Sequence, residues 1–174
     1  LEVASLYNQG MPTNLLVNRN DYQSGNPTVF NTKQVDFDGS DDYLIANSTL
    51  GSMTGSLSFW VKLDTYGADV YLYDARGVGN TGSGYLYLSS ATPSIATQSS
   101  GTVYVDGVTG ANITTNEWHH IVVTGTTLDI TTDIIFGSRY NEVNILDGQM
   151  SQVGLWNSTL TADEVSSLYN HGLP

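Results

Sequence analysis

The chain has 174 residues, and 17 acidic side chains against five basic ones give it a formal charge of -12 at pH 7. Nucleic acid and anionic membranes are not expected partners, because both are bound through clusters of Lys and Arg that this sequence lacks, and no segment is apolar over the length that spans a bilayer. No cysteine is present, which excludes disulfides, thiolate metal sites and cysteine nucleophiles and favours a bacterial or viral source.

The two ends of the chain carry the same short sequence. Residues 2–12 align without a gap with residues 164–174. Ahead of the second copy, Thr161 and Glu164 have the spacing of a helix N-cap with a capping box, so a helix is predicted there. The first copy has the body of this helix without its cap. We therefore interpret residues 1–12 as the tail helix of a preceding repeat, in a tandem array of domain-sized modules.

Residues 13–32 are rich in Asn and Thr and are expected to form a linker or a first edge segment, which leaves residues 33–174 as the domain proper. Within the domain, apolar and polar residues alternate in short runs separated by turn residues, the pattern of β-strands with one buried face. The runs lie at 33–46, with a turn at 38–41, and at 56–63, 70–74, 85–89, 102–106, 118–124, 133–137 and 152–156.

Many short strands, one late helix and no alternation of strand and helix predict an all-β fold. We expect a two-sheet antiparallel jelly-roll sandwich with one short C-terminal helix. That helix has an apolar side formed by Val165, Leu168 and Tyr169, through which it is expected to pack on the sandwich.

Five segments have distinctive sequences: VDFDGSDDYL at 35–44, SLSFWVK at 56–62, EWHHIVVT at 117–124, LDGQMSQVGLWN at 146–157 and the helix at 160–169. In this order they resemble the laminin-G-like branch of the concanavalin A-like lectin/glucanase family, and the resemblance runs from about residue 33 to the end. It implies the sandwich fold and, more broadly, the tandem modules of bacterial surface proteins and phage virion proteins. One departure is that the Tyr-Val-Asp-Gly hairpin, here 104–107, precedes the Trp-His-His strand instead of following it.

The resemblance also implies a structural calcium ion, the only cofactor expected. Its ligands would be Asp38, Asp41, Asp147 and Gln149 together with main-chain oxygens. The family usually has an acidic pair after the Asp-Gly-Gln of its penultimate strand, where this chain has Ser151 and Gln152. Read from the residues alone, the acidic segment does not fit an EF-hand loop. It then has a second interpretation, an Asp-Gly hairpin turn with solvated carboxylates.

Catalysis is not expected. The glucanase members of the family hydrolyse glycosides with two carboxylates at a fixed distance, one of them protonated. The four Glu of this chain do not share a strand in any pair: Glu2, Glu117, Glu142 and Glu164. The adjacent His119 and His120 would point to opposite faces of a strand and could not chelate one metal ion. We expect one of them to be buried and hydrogen-bonded and the other to be exposed.

Tyrosine carries the clearest indication of binding. Tyr71, Tyr73, Tyr85 and Tyr87 alternate on two segments expected to pair, and the family pattern brings loops with charged and amide side chains close to them. A phenol ring stacks on a sugar while its neighbours bond to the hydroxyls, although alternating tyrosines also serve simply to cover a sheet. The candidate ligand-binding residues are Tyr71, Tyr73, Asp74, Arg76, Tyr85, Tyr87, Arg139, Tyr140 and Asn141.

The sequence thus predicts a non-catalytic recognition or adhesion module that binds carbohydrate. It would belong to a larger extracellular, cell-surface or virion protein, with tandem copies in the parent chain or an oligomer. Its expected partners are a glycan or neighbouring protein subunits. Two alternatives stay open: a structural virion or surface-array protein that makes protein-protein contacts, and an accessory domain of a glycosidase or protease.

Overall fold

The alternating segments of the domain form β-strands in the computed structural model. The structure describes residues 7–8, 11–12, 34–47, 51–65, 67–76, 84–89, 95–97, 101–110, 112–130 and 133–169. The strands are β1 Tyr7–Asn8, β2 Met11–Pro12, β3 Val35–Asp38, β4 Leu44–Asn47, β5 Gly51–Leu63, β6 Val70–Asp74, β7 Tyr85–Leu88, β8 Ile95–Thr97, β9 Thr102–Val105, β10 Val108–Thr109, β11 Trp118–Ile130, β12 Asp133–Phe136 and β13 Asp147–Trp156, and the helix is α1 Ala162–Tyr169. The chain divides into two compact units, residues 1–32 and 33–174.

In the first unit, β1 and β2 pair antiparallel, with Tyr7 opposite Pro12 and Asn8 opposite Met11. Tyr7 and Asn8 lie in a strand where the sequence predicted the body of a tail helix, and Met11 and Pro12 follow Gly10, at which that helix was expected to stop. The reason for the difference is that their backbone groups pair across the two strands rather than along one helix. The remainder of residues 1–12, and all of the predicted linker at 13–32, lie outside the described residues.

The second unit is a sandwich of two antiparallel sheets, as predicted. One sheet has six strands in the order β10-β9-β11-β5-β13-β3, and the other has five in the order β4-β12-β6-β7-β8. The two longest strands, β5 and β11, pair from Lys62 opposite Trp118 to Gly51 opposite Ile130, with a register shift next to Gly125. Because the chain passes repeatedly from one sheet to the other, strands that are consecutive in sequence are not always neighbours. This is the jelly-roll arrangement.

The hairpin interpretation of residues 38–42 is wrong. β3 pairs with β13 in the six-stranded sheet, whereas β4 pairs with β12 in the five-stranded sheet. The five residues between β3 and β4 therefore cross from one sheet to the other. Such a segment is long enough to span the roughly 10 Å that separates packed sheets, whereas a tight hairpin needs only two residues. The carboxylates of Asp38, Asp41 and Asp42 are nevertheless exposed, as that interpretation expected.

The core lies between the sheets and follows the predicted alternation. Leu57, Phe59, Val61 and Leu63 of β5 point inward and are almost fully buried. They pack within one cluster that includes Leu72, Leu86 and Leu88 from the other sheet. Each such side chain contributes about 1.5 to 3 kcal/mol of stabilisation by leaving water.

Helix α1 begins as the sequence predicted. The Glu164 N–H donates to Thr161 Oγ1 at 3.3 Å, and the Thr161 N–H donates to Glu164 Oε2 at 2.8 Å, which completes the capping box. Val165 is fully buried against Leu160 and Val122, on the outer face of the six-stranded sheet. Helix α1 has eight residues, and in the part of the chain that the structure describes no helix is long and apolar enough to cross a membrane.

Candidate functional site

A register shift in β6 decides which tyrosines reach the outer face of the five-stranded sheet. Tyr71 lies opposite Tyr87, but Tyr73 lies opposite Leu86, so Leu72 is an extra residue in β6. Such a bulge reverses the side to which the following residues point. Tyr73 therefore points into the core, where its ring meets Phe59 edge-on at 6.4 Å. The prediction that Tyr73 belongs to the ligand-binding set is wrong for this reason.

Apart from Tyr73, the tyrosines of the predicted ligand-binding set stack with the two arginines of that set. We call this group the Tyr–Arg cluster. Its members are Tyr71, Tyr85, Tyr87, Tyr140, Arg76 and Arg139. The Tyr71 ring stacks on Tyr85 at 5.6 Å and on Tyr87 at 5.4 Å. The Arg76 guanidinium lies 3.9 Å from the centroid of the Tyr85 ring, and the Arg139 guanidinium lies 5.2 Å from that of Tyr140. These are cation–π contacts that hold rings and guanidinium groups in place together.

The Asp74 carboxylate holds the cluster in place by accepting hydrogen bonds from two of its members. Its Oδ1 accepts hydrogen bonds from Arg76 Nε at 2.9 Å and from the Arg76 backbone N–H at 3.1 Å. Its Oδ2 accepts from Arg76 Nη2 and, at 3.0 Å, from the backbone N–H of Tyr140. Burial by itself would lower the pKa of Arg76, but the Asp74 carboxylate outweighs it and the net pKa is raised. Asp74 is thus a positioning residue that ties the loop of Tyr140 to β6.

Only part of the cluster is accessible to a ligand. Tyr71, Tyr85 and Arg76 are buried, and burial raises the pKa of the Tyr85 phenol while Arg76 opposes that shift. The accessible edge consists of residues that are half-buried or exposed: Tyr87, Arg139, Tyr140 and Asn141. The loop at 77–83, read from the sequence as a flexible hairpin loop, lies outside the described residues.

The two adjacent histidines point to opposite faces, as predicted, but the expectation that one is exposed is wrong. His119 and His120 are only 8% and 3% exposed. His119 Nε2 accepts the Thr114 backbone N–H at 3.0 Å, so its Nδ1 carries the proton and donates to Asp106 Oδ2 at 2.7 Å. Sequence reasoning missed this partnership. Its signal was the Asp106-Gly107 turn, where both residues have the positive φ typical of a tight two-residue hairpin.

Thr114, His119 and Asp106 have the order of a nucleophile, base and orienting acid, but their contacts favour a structural role. The Nε2 lone pair that would take a proton already accepts the Thr114 backbone N–H. The Thr114 hydroxyl in turn lies 2.7 Å from Glu117 Oε2, to which it donates. These bonds fasten the β9–β10 turn and the loop before β11 to each other.

His120 lies on the other face of β11, under the helix. Its ring is 5.0 Å from Trp60 and 6.1 Å from Tyr169, and these three rings form the aromatic stack between sheet and helix. Its Nδ1 is buried and has no hydrogen-bond partner among the described residues. Burial lowers the pKa of His120 to about 4, although the nearby Asp106 acts in the opposite direction.

The predicted calcium ligands are brought together only in part. Asp38 lies opposite Asp147 across β3 and β13, and carboxylate oxygens of Asp38, Asp41 and Asp42 lie within 4.8 Å of one another. Asp42 was not in the predicted set. Gln149 donates its amide N–H to Asp64 Oδ2 at 2.8 Å. Three carboxylates suit a hard cation by ligand type.

Two carboxylates of this acidic group already accept hydrogen bonds from backbone N–H groups of the same segment. Asp38 Oδ1 accepts the backbone N–H of Ser40 at 2.8 Å, and Asp42 Oδ2 accepts that of Asp38 at 3.2 Å. Ser151 and Gln152, which stand where the family has acids, offer no carboxylate. Calcium stays a prediction for the set Asp38, Asp41, Asp147 and Gln149, with Asp42 as an added candidate.

No curated protein matches the chain. Among solved structures, the chain is similar to a native heptameric SAP-like pentraxin from Limulus polyphemus, at 12% identity and a TM-score of 0.49, over 78% of this chain and 81% of that one. It is also similar to domain 4 of AbnA, an extracellular arabinanase of Geobacillus stearothermophilus in complex with arabinotriose, at 13% identity and a TM-score of 0.45, over 78% and 87%.

The family itself is shown by the sequence. Residues 37–132, more than half of the chain, match the laminin-G-like family model described as the concanavalin A-like lectin/glucanases superfamily. The match begins within β3 and runs past the end of β11. It contains the bulged β6, most of the Tyr–Arg cluster and the histidine pair. The resemblance seen in the sequence is confirmed, and the chain belongs to the concanavalin A-like lectin/glucanases superfamily.

Proposed function

We propose that this domain is a non-catalytic recognition module that binds carbohydrate at the accessible edge of the Tyr–Arg cluster. One observation carries the proposal: rings and guanidinium groups are already stacked on one another, and the outermost of them are only half-buried. The ligand would contact Tyr87, Arg139, Tyr140 and Asn141. Tyr71 and Tyr85 lie behind them and support the stack.

The chemistry of this edge suits a sugar. Tyr87 and Tyr140 offer apolar ring faces for the C–H side of a pyranose or furanose, and their phenol groups can bond to its hydroxyls. Arg139 and the exposed Asn141 add donors and an acceptor in directions that ring stacking does not satisfy. Because the Asp74 bond to the Tyr140 backbone already holds this loop, little ordering is left to oppose binding.

Two features support binding without catalysis. Asp74, the carboxylate that touches the cluster, accepts two N–H groups at each oxygen, so it is poorly placed to give or take a proton. Glycoside hydrolysis also needs a second carboxylate about 5 to 9.5 Å from the first. The three Glu of the described segments, Glu117, Glu142 and Glu164, lie in loops or in α1, so no two of them project from one strand as a catalytic pair.

We place the module in a larger extracellular, cell-surface or virion protein. Only 13% of the residues are charged, so neutral polar side chains make up most of the polar surface, and we interpret this as the composition of a secreted-type module. The repeat shared by residues 2–12 and 164–174 supports tandem copies.

One observation favours a second function, protein-protein contact in a virion or surface array. β4 is an edge strand, and its adjacent Leu44 and Ile45 are 40% and 46% exposed. Exposed apolar residues on an edge strand invite pairing with another chain. In that case, neighbouring subunits rather than glycans would be the natural partners.

A glycan array with the purified domain tests the first function. Wild-type protein should bind a subset of glycans, and Tyr87→Ala or Tyr140→Ala should weaken that binding by on the order of 1 to 3 kcal/mol, as for an aromatic hot spot. Val108→Ala, at an exposed site of the other sheet, is the matched control and should bind like wild type. Melting curves must show all variants folded. A folded wild type that binds no glycan overturns the proposal and leaves the protein-contact function.

A further inference from the structure

We propose that the Tyr–Arg cluster selects saccharides that carry a carboxylate, and that Arg139 is the residue that pairs with it. The inference rests on the proposed function and narrows it. The acidic charge of the whole chain, -12, would by itself favour a neutral sugar. The contacts of its arginines lead to a different ligand class.

Arg139 differs from the other described cations in lacking an acid. Lys62 pairs with Asp64 at 3.3 Å, and Arg76 forms a bidentate pair with Asp74. Within the described segments no carboxylate lies at ion-pair distance from Arg139.

The Arg139 side chain is also held in place. Its guanidinium lies 5.8 Å from the Tyr71 ring centroid and 5.2 Å from that of Tyr140. Its backbone is fixed by the Arg139 N–H, which donates to Val143 O at 3.0 Å, and by the Glu142 N–H, which donates to Arg139 O at 2.9 Å. Its buried Nε has no hydrogen-bond partner among the described residues. A guanidinium that is partly removed from water, stacked and unpaired is ready to accept an anion at little ordering cost.

The charge of the cluster points the same way. Asp74 is saturated by Arg76 and by the Tyr140 N–H, so it leaves the Arg139 charge uncompensated. Sugar hydroxyls would bond to this group without neutralising it. A carboxylate would bond to the guanidinium and also neutralise its charge. A charge-assisted hydrogen bond to the planar guanidinium group is among the strongest hydrogen bonds that proteins make. Repulsion from the rest of the acidic surface acts weakly here, because physiological salt screens charges beyond about 8 Å.

The shared chemistry is an oxyanion on a sugar ring, which a uronic acid or a sulfated sugar could supply. We commit to the carboxylate, because its two coplanar oxygens match the guanidinium fork. The probes are therefore trigalacturonate, its methyl ester, which has the same ring without the charge, and a sulfated galactose trisaccharide.

Calorimetric titration of the wild-type domain should show trigalacturonate binding about tenfold or more tightly than its methyl ester, the gain expected from one charged hydrogen-bonded pair. Added sodium chloride should weaken binding of the acid and leave the ester unaffected. Arg139→Gln should lower the affinity for the acid to that for the ester and leave the ester unchanged. Arg139→Lys should restore only part of the preference, since it keeps the charge but not the fork.

Other outcomes overturn the inference. If the acid and the ester bind wild type equally, or if Arg139→Gln weakens both alike, the cluster binds sugars but does not select a carboxylate, and the proposed function stands alone. Tighter binding of the sulfated probe would overturn the carboxylate assignment. If no saccharide binds the folded domain, both proposals fail. The comparison of trigalacturonate with its methyl ester uses only the wild-type domain. It therefore tests selection of a carboxylate even if Arg139→Gln does not fold.

Discussion

The imidazole of His120 lies 5.0 Å from the indole of Trp60, with their planes 34° apart, and the Tyr169 ring of α1 stacks over both. This contact joins the six-stranded sheet to the helix that closes the domain. The buried His120 Nδ1 has no hydrogen-bond partner within the described residues, so burial favours the neutral ring over the charged one. The domain therefore carries a titratable group where its helix is attached.

The first prediction is a loss of stability in mild acid. The folded-state pKa of His120 is about 4, below the ordinary value of 6.5, so folding favours the neutral ring. The contribution of the neutral His120 ring to the free energy of unfolding is complete above pH 6.5, declines as the pH falls from 6.5 to 4, and is lost below pH 4. The loss should be on the order of 3 kcal/mol, measured by urea unfolding across this window. His120→Phe keeps the stack but cannot protonate, so its unfolding free energy should change less over the same range. Parallel curves for the two proteins would show that His120 is not responsible.

The second prediction separates Tyr73 from the tyrosines of the cluster. Tyr73→Ala empties a fully buried site and should cost about 3 to 5 kcal/mol in the free energy of unfolding. Tyr87→Ala, on the outer face, should cost clearly less. Tyr73→Phe should cost much less than Tyr73→Ala, because it keeps the buried ring and removes only the hydroxyl, which faces the Thr126 side chain. Chemical denaturation of the three variants measures this, and similar losses for Tyr73→Ala and Tyr87→Ala would argue against the bulge in β6.

The third prediction concerns the start of α1. Thr161→Ala removes the acceptor of the Glu164 N–H and should lower stability by about 1 kcal/mol. Fluorescence of Trp60 should change with it, because Tyr169 of the same helix lies on that indole. Ser166→Ala, at an exposed position within the helix, is the control and should not destabilise the domain. Equal stability of the Thr161 and Ser166 variants would mean that the capping box contributes nothing measurable.

The fourth prediction concerns calcium. We expect added calcium to raise the melting temperature, since the ion would bind the folded arrangement of Asp38, Asp41 and Asp42 and not the unfolded chain. Asp41→Asn should abolish the increase, whereas Asp36→Asn, an exposed acid on β3, should leave it intact. A melting temperature that responds neither to calcium nor to a chelator would remove this site, and the missing acids at Ser151 and Gln152 would explain why.

Features with local causes could be predicted from the amino-acid sequence. Alternation along 56–63 predicted that Leu57, Phe59 and Leu63 share the side of β5 that faces the core between the sheets, because side chains on a strand point to opposite faces in turn. The spacing of Thr161 and Glu164 determined where α1 begins, because a capping box involves only four consecutive residues. Family membership also followed, since its motifs are short and occur in order.

The tertiary structure alone decided the features that depend on pairing between distant segments. The sequence cannot show that β3 and β4 enter different sheets, because each strand takes its partner from far along the chain. One extra residue in β6 turned Tyr73 inward, and only its register with β7 reveals that bulge. The same holds for Arg139: Asp74 is taken by Arg76 and the Tyr140 backbone, and among the described residues Arg139 forms no ion pair with a carboxylate.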